Sequence, residues 1–486
     1  GNFPHLTQFG GPHRALQRLH QQFGPLLSMW YGSKLTIVIG SPALIKQTHR
    51  DQGDKFQHRT LPEFAKISLR ADEEGGKNVA LAGGKYWVRA RRVFVTELMS
   101  KRFIDLVCVP KVHEEIWSTM DAIKQRDGRP FDPHEDLMRL SCNIVFRLTY
   151  GLRFGRDDIG NENSEWGQLH AIINNIMRLG GQNVKANYIP VLKFLERITP
   201  GGRALNRRRK ETVARRDALL ERLLEEHKKT LDTSSPRDFL DVLLTRKEKD
   251  KFTDEEVMFI AWEFITAGTD TTSATMHWLV LLLANHPEVQ KKAQAEIDSA
   301  CSHRPVTMED QPRLPYVFAC VKECMRWMPA VPLMVPYKAS EDAVVRHEGR
   351  DYTIKKGTQV IMNGFNMHRD PTLWPDADAF RPERFMEGPD ADVDLRGADA
   401  PNDPHHLKFM PLGTGRRACA GYALAKVELF LQAATLMQCF HWAPAEGDKV
   451  PMTEIFGIAV TAGHSLVTAR WREESGIDIA KIETQH

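Results

Sequence analysis

One cysteine lies in a segment whose residue types could bind a metal. Residues 411–421 read Pro-Leu-Gly-Thr-Gly-Arg-Arg-Ala-Cys-Ala-Gly. The glycines let the backbone approach a flat ligand closely, and the guanidinium groups of Arg416 and Arg417 can reach anionic groups. Cys419 directly precedes a helical pattern from Tyr422 to Phe440. A thiolate at a helix N-terminus is stabilised by the helix dipole and free N–H groups, so we interpret Cys419 as an anionic metal ligand.

Two other interpretations of this segment stay open from its residues alone. It could be a glycine-rich turn that happens to hold a cysteine. It could also be a phosphate-binding loop, although the Gly-Lys-Ser/Thr ending of such loops is missing. The other six cysteines form no C-x-x-C pair, which favours a reducing compartment and small, buried, inert side chains. They are Cys108, Cys142, Cys301, Cys320, Cys324 and Cys439.

A second segment with chemical potential interrupts a long apolar helix. Thr253 and Glu256 form a capping-box pattern, and the helical pattern runs to Asn285, before Pro287. That is about 30 residues, or about 45 Å. In its middle lies Ala267-Gly268-Thr269-Asp270-Thr271-Thr272, whose Gly, Thr and Asp are poor helix formers. We predict a widened turn beside a cofactor, with a hydroxyl and a carboxylate to handle protons. The alternative is a kink whose Thr hydroxyls bond back to the preceding turn.

These segments belong to a chain that is predicted to be mainly α-helical. Its 486 residues contain no repeat and no long low-complexity linker, so we predict one domain over 1–486. It would have a β-rich part at roughly 27–60 and a helical core at roughly 80–450. A net charge of +3 gives no indication of nucleic acid as a partner. No run of about 18 apolar residues is present that could span a membrane.

Short strands are predicted as hairpins at three places. They are Leu27 to Ile39 around Tyr31-Gly32-Ser33, Tyr352 to Met362 around Lys355-Lys356-Gly357, and Phe456 to Trp471. A long charged helix is predicted over 203–229. We interpret its Arg207-Arg208-Arg209-Lys210 cluster as a solvated face, with a membrane or partner contact as the alternative.

Five motifs, taken together and in this order, resemble the cytochrome P450 superfamily of haem-thiolate monooxygenases over nearly the whole chain. The first is Trp87-x-x-x-Arg91, which resembles the helix-C motif. The second is Ala267 to Thr272, which resembles the oxygen-binding groove. The others are Glu323-x-x-Arg326, Phe380-Arg381-Pro382-Glu383-Arg384-Phe385, and the loop from Gly413 to Gly421. Each is weak alone, since an E-x-x-R pair can be an ordinary i,i+3 ion pair.

The resemblance implies a large domain of a dozen or more helices with small β-hairpin sheets, and haem b as the cofactor. Cys419 would be the axial iron ligand. Trp87, Arg91 and Arg417 would hold the haem propionates, and Ala267, Gly268 and Gly421 would contact the cofactor. Asp270 and Thr271 would organise proton delivery, and Glu323, Arg326 and Arg384 would form a structural triad.

Two positions depart from the family pattern. Leu412 stands where a Phe is usual, seven residues before the cysteine, so the packing around the thiolate is expected to differ. Tyr337 follows Pro336 where many relatives have Arg or His as a propionate contact. The resemblance therefore implies no charged contact at Tyr337.

The implied activity is hydroxylation of a lipophilic substrate with O₂ and two electrons from NADPH, through a separate reductase. The chain begins at Gly1 without Met, and the resemblance implies an N-terminal anchor and the cytosolic face of the endoplasmic reticulum. Basic residues near the cysteine side could dock the reductase, or could be ordinary surface charge. They are Arg89, Arg92, Lys101 and Arg102.

Candidate pocket residues are mostly aliphatic, which suits a bulky lipophile. They are Ala330, Val331, Met334, Phe456 and Ile458. We expect a steroid- or terpenoid-sized substrate, with a phenolic or other small aromatic of secondary metabolism as the alternative. Two further alternatives keep the fold: an isomerase or dehydratase that needs no reductase, and a non-catalytic haem-binding protein. The intact Asp270–Thr271 pair argues against both.

Overall fold

The computed structural model describes residues 6, 10–72, 75–155, 164–181, 184–301, 303–391, 393–396, 404–457 and 459–483. The chain is mostly helical there, as predicted, with small sheets. The α-helices are α1 Pro12–Phe23, α2 Pro42–Ile45, α3 Glu63–Ser68, α4 Gly84–Val93, α5 Lys101–Phe103, α6 Val109–Lys124, α7 His134–Tyr150, α8 Glu165–Gly181, α9 Pro190–Ile198, α10 Pro200–Lys228, α11 Phe239–Asp250, α12 Asp254–Asn285, α13 Pro287–Cys301, α14 Pro315–Trp327, α15 Gly364–His368, α16 Tyr422–Cys439 and α17 Ile479–Glu483.

Shorter helical turns connect these elements. The π-helical turns are Lys46–Arg50, Phe94–Leu98 and Ile104–Cys108. The 3₁₀ turns are Gly53–Phe56, Val184–Asn187, Met308–Arg313, Pro382–Phe385, Gly388–Asp390, Pro404–Lys408, Gly415–Arg417 and Glu473–Ser475.

Helix α12 is the long axis of the domain and matches the sequence prediction. The Thr253 hydroxyl accepts from the Glu256 N–H and the Glu256 carboxylate accepts from the Thr253 N–H, which completes the predicted capping box. The helix has 32 residues and is therefore about 48 Å long. It packs against α7, α14 and α16 inside the largest hydrophobic core. In the described part of the chain, no helix combines the length and apolar character needed to cross a bilayer.

The strands form one five-stranded sheet and three two-stranded ones. They are β1 Leu26–Tyr31, β2 Lys34–Ile39, β3 His58–Arg59, β4 Tyr337–Lys338, β5 Ala343–His347, β6 Arg350–Ile354, β7 Gln359–Met362, β8 Phe440–Pro444, β9 Glu454–Phe456, β10 Val460–Ala462 and β11 Val467–Trp471. The larger sheet has the order β1-β2-β7-β4-β3, in which β2 and β7 are parallel. The small sheets pair β5 with β6, β8 with β11, and β9 with β10.

The predicted hairpins are right in one case and wrong in part in the others. Strands β1 and β2 pair around Gly32, as predicted. Gly32 has φ +58, and a Cβ there would lie 2.2 Å from the Tyr188 carbonyl oxygen. Strands β6 and β7 do not pair with each other, because β7 joins β2 and β4 in the interior sheet. Near the C-terminus β9 pairs with β10, whereas β11 pairs with β8.

The predicted charged helix is α10, and its basic cluster is only partly solvated. The Arg209 side chain is buried, and its guanidinium donates to the Glu196 carboxylate of α9. Arg207, Arg208 and Lys210 are exposed. The prediction that all four residues form a solvated face is therefore wrong at Arg209, because α9 folds back against α10 and supplies a carboxylate.

All seven cysteines are free thiols. Six are buried, as predicted, whereas Cys419 is exposed. The single-domain boundaries stay a prediction.

Candidate active site

The loop before α16 presents Cys419 through a pair of tight turns. The Cys419 N–H donates to the Leu412 carbonyl at 2.9 Å, and the Gly413 N–H donates to the Met410 carbonyl at 2.9 Å. Gly415 has φ +69, and a Cβ there would lie 2.3 Å from the His49 carbonyl oxygen. A glycine is therefore required at this position. It allows the left-handed backbone conformation and lets the Cys419 loop approach the turn Lys46–Arg50 closely.

The Cys419 side chain is accessible although protein atoms surround it. Burial raises the pKa of its thiol above the ordinary value. The Gly421 N–H and the charge of Arg91 lower this pKa but do not outweigh burial. A bound cation would stabilise the thiolate further, and the role of Cys419 as a metal ligand stays a prediction.

The middle of α12 opens onto an interior cavity. Ala267 is exposed and Thr266, Gly268, Asp270 and Thr271 are half-buried, although the helix is almost entirely buried before and after them. An exposed alanine in the middle of the most deeply buried helix indicates a cavity beside it rather than the outer surface. Burial raises the pKa of Asp270 to about 6.

The predicted widened turn is not present in α12, which is continuous α-helix from Asp254 to Asn285. Two threonine hydroxyls of this stretch donate to the carbonyl four residues earlier: Thr269 to Ile265 and Thr271 to Ala267, both at 2.8 Å. Back-bonding, the alternative considered above, satisfies these hydroxyls without opening the helix. Gly268 serves helix packing, since a Cβ there would lie 2.9 Å from a methyl group of Val145 in α7.

Three guanidinium groups converge beside the Cys419 loop. Arg91 donates to the Ala418 carbonyl at 2.7 Å. Arg417 donates to the carbonyls of Gln57 and Val79 at 2.7 and 3.1 Å and also to Ala82. The third group is Arg59. Burial lowers the pKa of Arg417, and the charges of Arg59 and Arg91 lower it further. We call Arg59, Arg91 and Arg417 the arginine cluster.

The indole of Trp87 lies within the arginine cluster and has an unused donor. The Arg417 guanidinium lies 4.1 Å from the ring centroid, and that of Arg91 lies 5.8 Å from it. Trp87 Nε1 is buried, and it has no hydrogen-bond partner among the residues that the structure describes. A buried N–H of this kind calls for an acceptor that the chain does not supply.

Arg59 was not among the predicted site residues, and its role depends on the sheet. In the register of β3 and β4, Arg59 lies opposite Tyr337, and its guanidinium stacks 4.0 Å from the Tyr337 ring centroid. It donates to the Val335 carbonyl at 2.5 Å, and its Nε is buried without a partner among the described residues. Arg59 thus brings a positive charge to the edge where Tyr337 replaces the usual basic residue. Only the strand pairing, not a local motif, could have identified it.

Glu263 was also not predicted, and it links α12 to the arginine cluster. Its carboxylate accepts from the N–H groups of Val79 and Ala80, both at 2.5 Å. Arg417 donates to carbonyls of the same stretch, 79–82. We call residues 79–82 the strap. Burial raises the pKa of Glu263 to about 7, against the opposing effect of these hydrogen bonds and of Arg417 and Arg91.

The predicted triad of Glu323, Arg326 and Arg384 is present, and it is buried. Arg326 donates to the Glu323 carboxylate through Nε at 2.7 Å and Nη2 at 2.8 Å, and Arg384 donates to it at 3.0 Å. Arg326 also donates to the carbonyls of His368 and Ala377. The three side chains are buried, and each charge has a partner.

Comparison with known proteins decides the family. The family model for cytochrome P450 matches residues 1–467.

The chain belongs to the cytochrome P450 family. It is 30% identical over 446 residues to cytochrome P450 98A2 of Glycine max, covering 88% of this chain and 81% of that one. It is 28% identical over 477 residues to an isoflavone 3'-hydroxylase of Medicago truncatula, covering 95% and 88%. A zebrafish cytochrome P450 solved with progesterone superimposes with a TM-score of 0.77 at 28% identity, over 94% of this chain and 99% of that one.

Family membership makes the protein an oxidoreductase, a haem-dependent P450 monooxygenase. The residues present fit haem. Cys419 is an accessible free thiol, and the arginine cluster with the unused Trp87 N–H suits two propionates. The cofactor contacts of Ala267, Gly268 and Gly421 stay predictions.

The predicted P450 pocket residues do not lie together. Ala330 and Val331 pack with Ala274 of α12 and with Ala459. Met334 packs instead against the core of the five-stranded sheet. Phe456 is exposed and stacks on His13 of α1, with ring centroids 5.6 Å apart. Ile458 lies outside the described residues. Only Ala330 and Val331 of the five lie in one cluster, and the pocket itself stays a prediction.

Proposed function

We propose that this P450 hydroxylates a bulky, lipophilic substrate of steroid or terpenoid size, with electrons from NADPH delivered by a separate reductase. The balanced reaction converts R–H, O₂, two electrons and two protons to R–OH and water. The observation that supports it best is the accessible Cys419 together with a half-exposed Asp270 and Thr271 on α12. Haem, when bound, supplies the activation of O₂ and the transfer of one oxygen atom.

The chain's own groups would divide the remaining work. Cys419 Sγ would ligate the iron as a thiolate, and the arginine cluster and Trp87 Nε1 would hold the propionates. Asp270, whose pKa is raised to about 6 by burial, can take up and release protons near neutral pH. The Thr271 hydroxyl donates to Ala267 and has lone pairs free to accept, so it can hold a proton donor in place.

The small apolar side chains at Ala274, Ala330, Val331 and Ala459 support a bulky substrate, since they leave space beside α12 and offer no charge. The zebrafish relative was solved with progesterone, which agrees with a steroid-sized ligand. A phenolic substrate is the second candidate, because the Medicago truncatula relative is an isoflavone 3'-hydroxylase.

The test is a screen of steroids, terpenoids and phenolics by the spin-state shift of the holoenzyme, followed by mass spectrometry of products with NADPH and reductase. We expect a product heavier by one oxygen atom from a steroid or terpenoid, and no product without reductase. Turnover of phenolics alone would refute the proposed substrate class. Turnover without any reductase would refute the proposed electron source.

Two variants test the residue roles. Cys419→Ala is expected to abolish the red-shifted Soret band of the reduced carbon-monoxide complex, and an unchanged band would refute the ligand assignment. Thr271→Ala is expected to keep consuming NADPH but to release more peroxide per product. Unchanged coupling would exclude Thr271 from proton delivery.

A membrane surface is proposed as the native location, on the cytosolic face of the endoplasmic reticulum. Helix α9 has no buried residue and exposes Val191, Phe194, Leu195 and Ile198, an amphipathic arrangement typical of interfacial helices. Ser33 in the β1–β2 turn donates to the Tyr188 carbonyl just before α9. The exposed Trp30 of β1 therefore belongs to the same surface.

Vesicle flotation tests this surface. The double variant Phe194→Asn/Leu195→Asn is expected to weaken binding to phospholipid vesicles roughly tenfold or more, since each buried apolar side chain contributes about 1.5–3 kcal/mol. Leu106→Asn is the matched control, because Leu106 is exposed on the distant turn Ile104–Cys108. Equal flotation of all three proteins would refute the surface.

The proposed reductase-docking residues differ in availability. Arg89 is turned toward Glu256 at 2.9 Å, and Arg92 is paired with Asp250 at 2.5 Å. Lys101 pairs with Asp105 on its own helical turn but stays largely exposed, as does Arg102. Lys101 and Arg102 are therefore better candidates for a reductase contact than Arg89.

A further inference from the structure

A buried histidine lies at the end of α12 that is distant from the Cys419 loop. His277 follows Ala267 by ten residues, or about 15 Å along the helix. Its side chain is 0% exposed. Neither ring nitrogen has a hydrogen-bond partner among the residues described in the structure. Buried polar groups are nearly always satisfied, so two unpaired nitrogens on one fully buried ring require an explanation.

Three further groups that can ligate a metal face this ring. Asp132 Oδ1 lies 3.7 Å from His277 Nε2, and Asp132 Oδ2 lies 2.7 Å from His464 Nδ1. The His134 ring centroid lies 5.4 Å from that of His277 and 6.3 Å from that of His464. His134 Nδ1 is also buried without a partner in the described part of the chain. The four residues come from the start of α7, from α12 and from the turn between β10 and β11.

One of these separations is already close to that of two ligands on a shared tetrahedral ion. With metal–nitrogen bonds of about 2.0–2.1 Å, two ligand atoms lie about 3.4 Å apart, and His277 Nε2 lies 3.7 Å from Asp132 Oδ1. The imidazoles of His134 and His464 must turn to bring their nitrogens as near, since no three ligand atoms of these residues yet lie within 4.8 Å of one another. The His464 side chain is 81% exposed and has room to turn.

We propose that Asp132, His134, His277 and His464 form a binding site for a divalent transition-metal ion, with Zn²⁺ as the representative ion. Three imidazoles and one carboxylate favour zinc, nickel or copper over magnesium or calcium, which prefer oxygen ligands.

The site would brace the part of the substrate pocket that comes from the C-terminal strands. Trp278, next to His277, donates from Nε1 to the Val460 carbonyl at 3.0 Å. The Val460 N–H donates to the Ala330 carbonyl at 2.8 Å. An ion joining His277 to His464 would fix both ends of β10, and β10 follows the pocket residue Ala459.

A second group of potential ligands does not require an ion. His227, Asp238 and Asp241 lie close together, but His227 Nε2 already lies 3.1 and 2.9 Å from the two carboxylates. Arg237 neutralises Asp241, and Asp238 caps α11. The internal hydrogen bonds and ion pair account for this cluster.

The test measures Zn²⁺ binding to the haem-loaded protein after treatment with EDTA, by equilibrium dialysis and elemental analysis. We expect one Zn²⁺ per chain in addition to the haem iron, displaced by Ni²⁺ but not by Mg²⁺, and a higher thermal unfolding midpoint in its presence. His464→Ala is expected to lower the affinity by about tenfold or more, because even outer-sphere partners of a metal contribute 10–100-fold. Because the His464 side chain is 81% exposed, the variant should fold as the parent protein does, and its haem spectrum checks this.

Two control variants make the result specific. His441→Ala removes another exposed histidine, which pairs with Glu474 at 2.7 Å, and this variant should bind Zn²⁺ as the parent protein does. His227→Ala should also leave binding unchanged. Absence of micromolar Zn²⁺ binding would overturn the proposal. So would binding that survives His464→Ala, or binding that is lost in His227→Ala.

Discussion

The triad and the arginine cluster are buried ionic networks that differ in charge balance. In the triad, Glu323 receives hydrogen bonds from Arg326 and Arg384, and backbone carbonyls accept the remaining donors of Arg326. In the arginine cluster, three guanidiniums gather beside Trp87, and the nearest buried carboxylate, Glu263, binds the strap instead of any guanidinium. The first network is complete within the chain, whereas the second carries excess positive charge.

The difference indicates which network is structural and which binds a ligand. A buried ion pair with all of its hydrogen bonds satisfied holds elements together and gives a ligand nothing to bind. A buried cluster of like charges lowers the pKa of its own members and is favourable only when an anion joins it. Haem propionates would supply that anion. Variants of the triad should therefore lower the unfolding free energy, whereas variants of the arginine cluster should weaken haem binding.

The largest effect is expected for Glu323→Gln. It leaves Arg326 and Arg384 buried without an anion, so unfolding should become easier by about 3–5 kcal/mol. Urea unfolding of the holoprotein, followed by tryptophan fluorescence, measures this. Glu383→Gln is the matched control, because Glu383 pairs with the exposed Lys292 at 2.8 Å and should cost about 1 kcal/mol or less. Equal losses of unfolding free energy in the two variants would show that the triad contributes no more than an exposed ion pair.

A pH-dependent effect is expected for a buried carboxylate that has no cation. Burial raises the pKa of Glu428 in α16 from 4.5 to about 8, and the Thr272 hydroxyl only partly opposes this. The folded state thus holds a proton that the unfolded state releases above pH 4.5. Its stabilising contribution is present below that pH and is lost as the pH rises through about 8.

Glu428→Gln removes this titration. The variant should match the parent protein near pH 5 and exceed its unfolding free energy at pH 8 by a few kcal/mol, at about 1.4 kcal/mol per pKa unit. Unfolding free energies measured across this range test it. A constant difference at every pH would contradict the raised pKa.

Arg59→Gln is expected to weaken haem binding without destabilising the apoprotein. Losing one charged hydrogen-bond donor to a propionate should raise the haem dissociation constant by about tenfold or more. The apoprotein should unfold at the same urea concentration or a higher one, since repulsion with Arg91 and Arg417 decreases. Haem transfer to an apoglobin measures the first effect. Arg416→Gln, which breaks an exposed pair with Asp54, is the control and should change neither quantity.

The smallest effect is expected for Trp87→Phe, which removes only the unused N–H. Haem should dissociate several-fold faster, for a loss of about 1 kcal/mol, while apoprotein stability stays nearly unchanged. Trp374→Phe is the matched comparison, because Trp374 Nε1 donates to the Met367 carbonyl at 3.0 Å and its loss should weaken the apoprotein as well. Equal loss of apoprotein stability in both variants would show that Trp87 Nε1 already has a partner.

Local patterns predicted the elements whose causes are local. The capping box, the apolar run of α12, the turn before α16 and the i,i+3 pair of the triad all depend on residues close in sequence. The sequence could not show that Arg59 lies opposite Tyr337, because that pairing joins strands 278 residues apart. It misassigned the partner of β7 for the same reason, since β7 pairs with the distant β2.

Two further errors concern polar residues. Those of α12 predicted a widened turn, but the Thr269 and Thr271 hydroxyls found acceptors within the helix, and the Thr272 hydroxyl bonds Glu428 of α16. The four basic residues of α10 predicted a solvated face, but α9 covers Arg209. The apolar cluster beside α12 was the least predictable part, because its residues come from three separate segments of the chain.

The strap has a consequence for the order of biosynthesis. Its N–H groups bind Glu263, 184 and 183 residues later, and its carbonyls bind Arg417, more than 330 residues later. Both partners leave the ribosome long after the strap itself, and contacts of such long sequence separation form late in folding. We therefore expect the strap to lack its contacts with Glu263 and Arg417 through most of translation. Haem would then be captured only after release of the nearly complete chain.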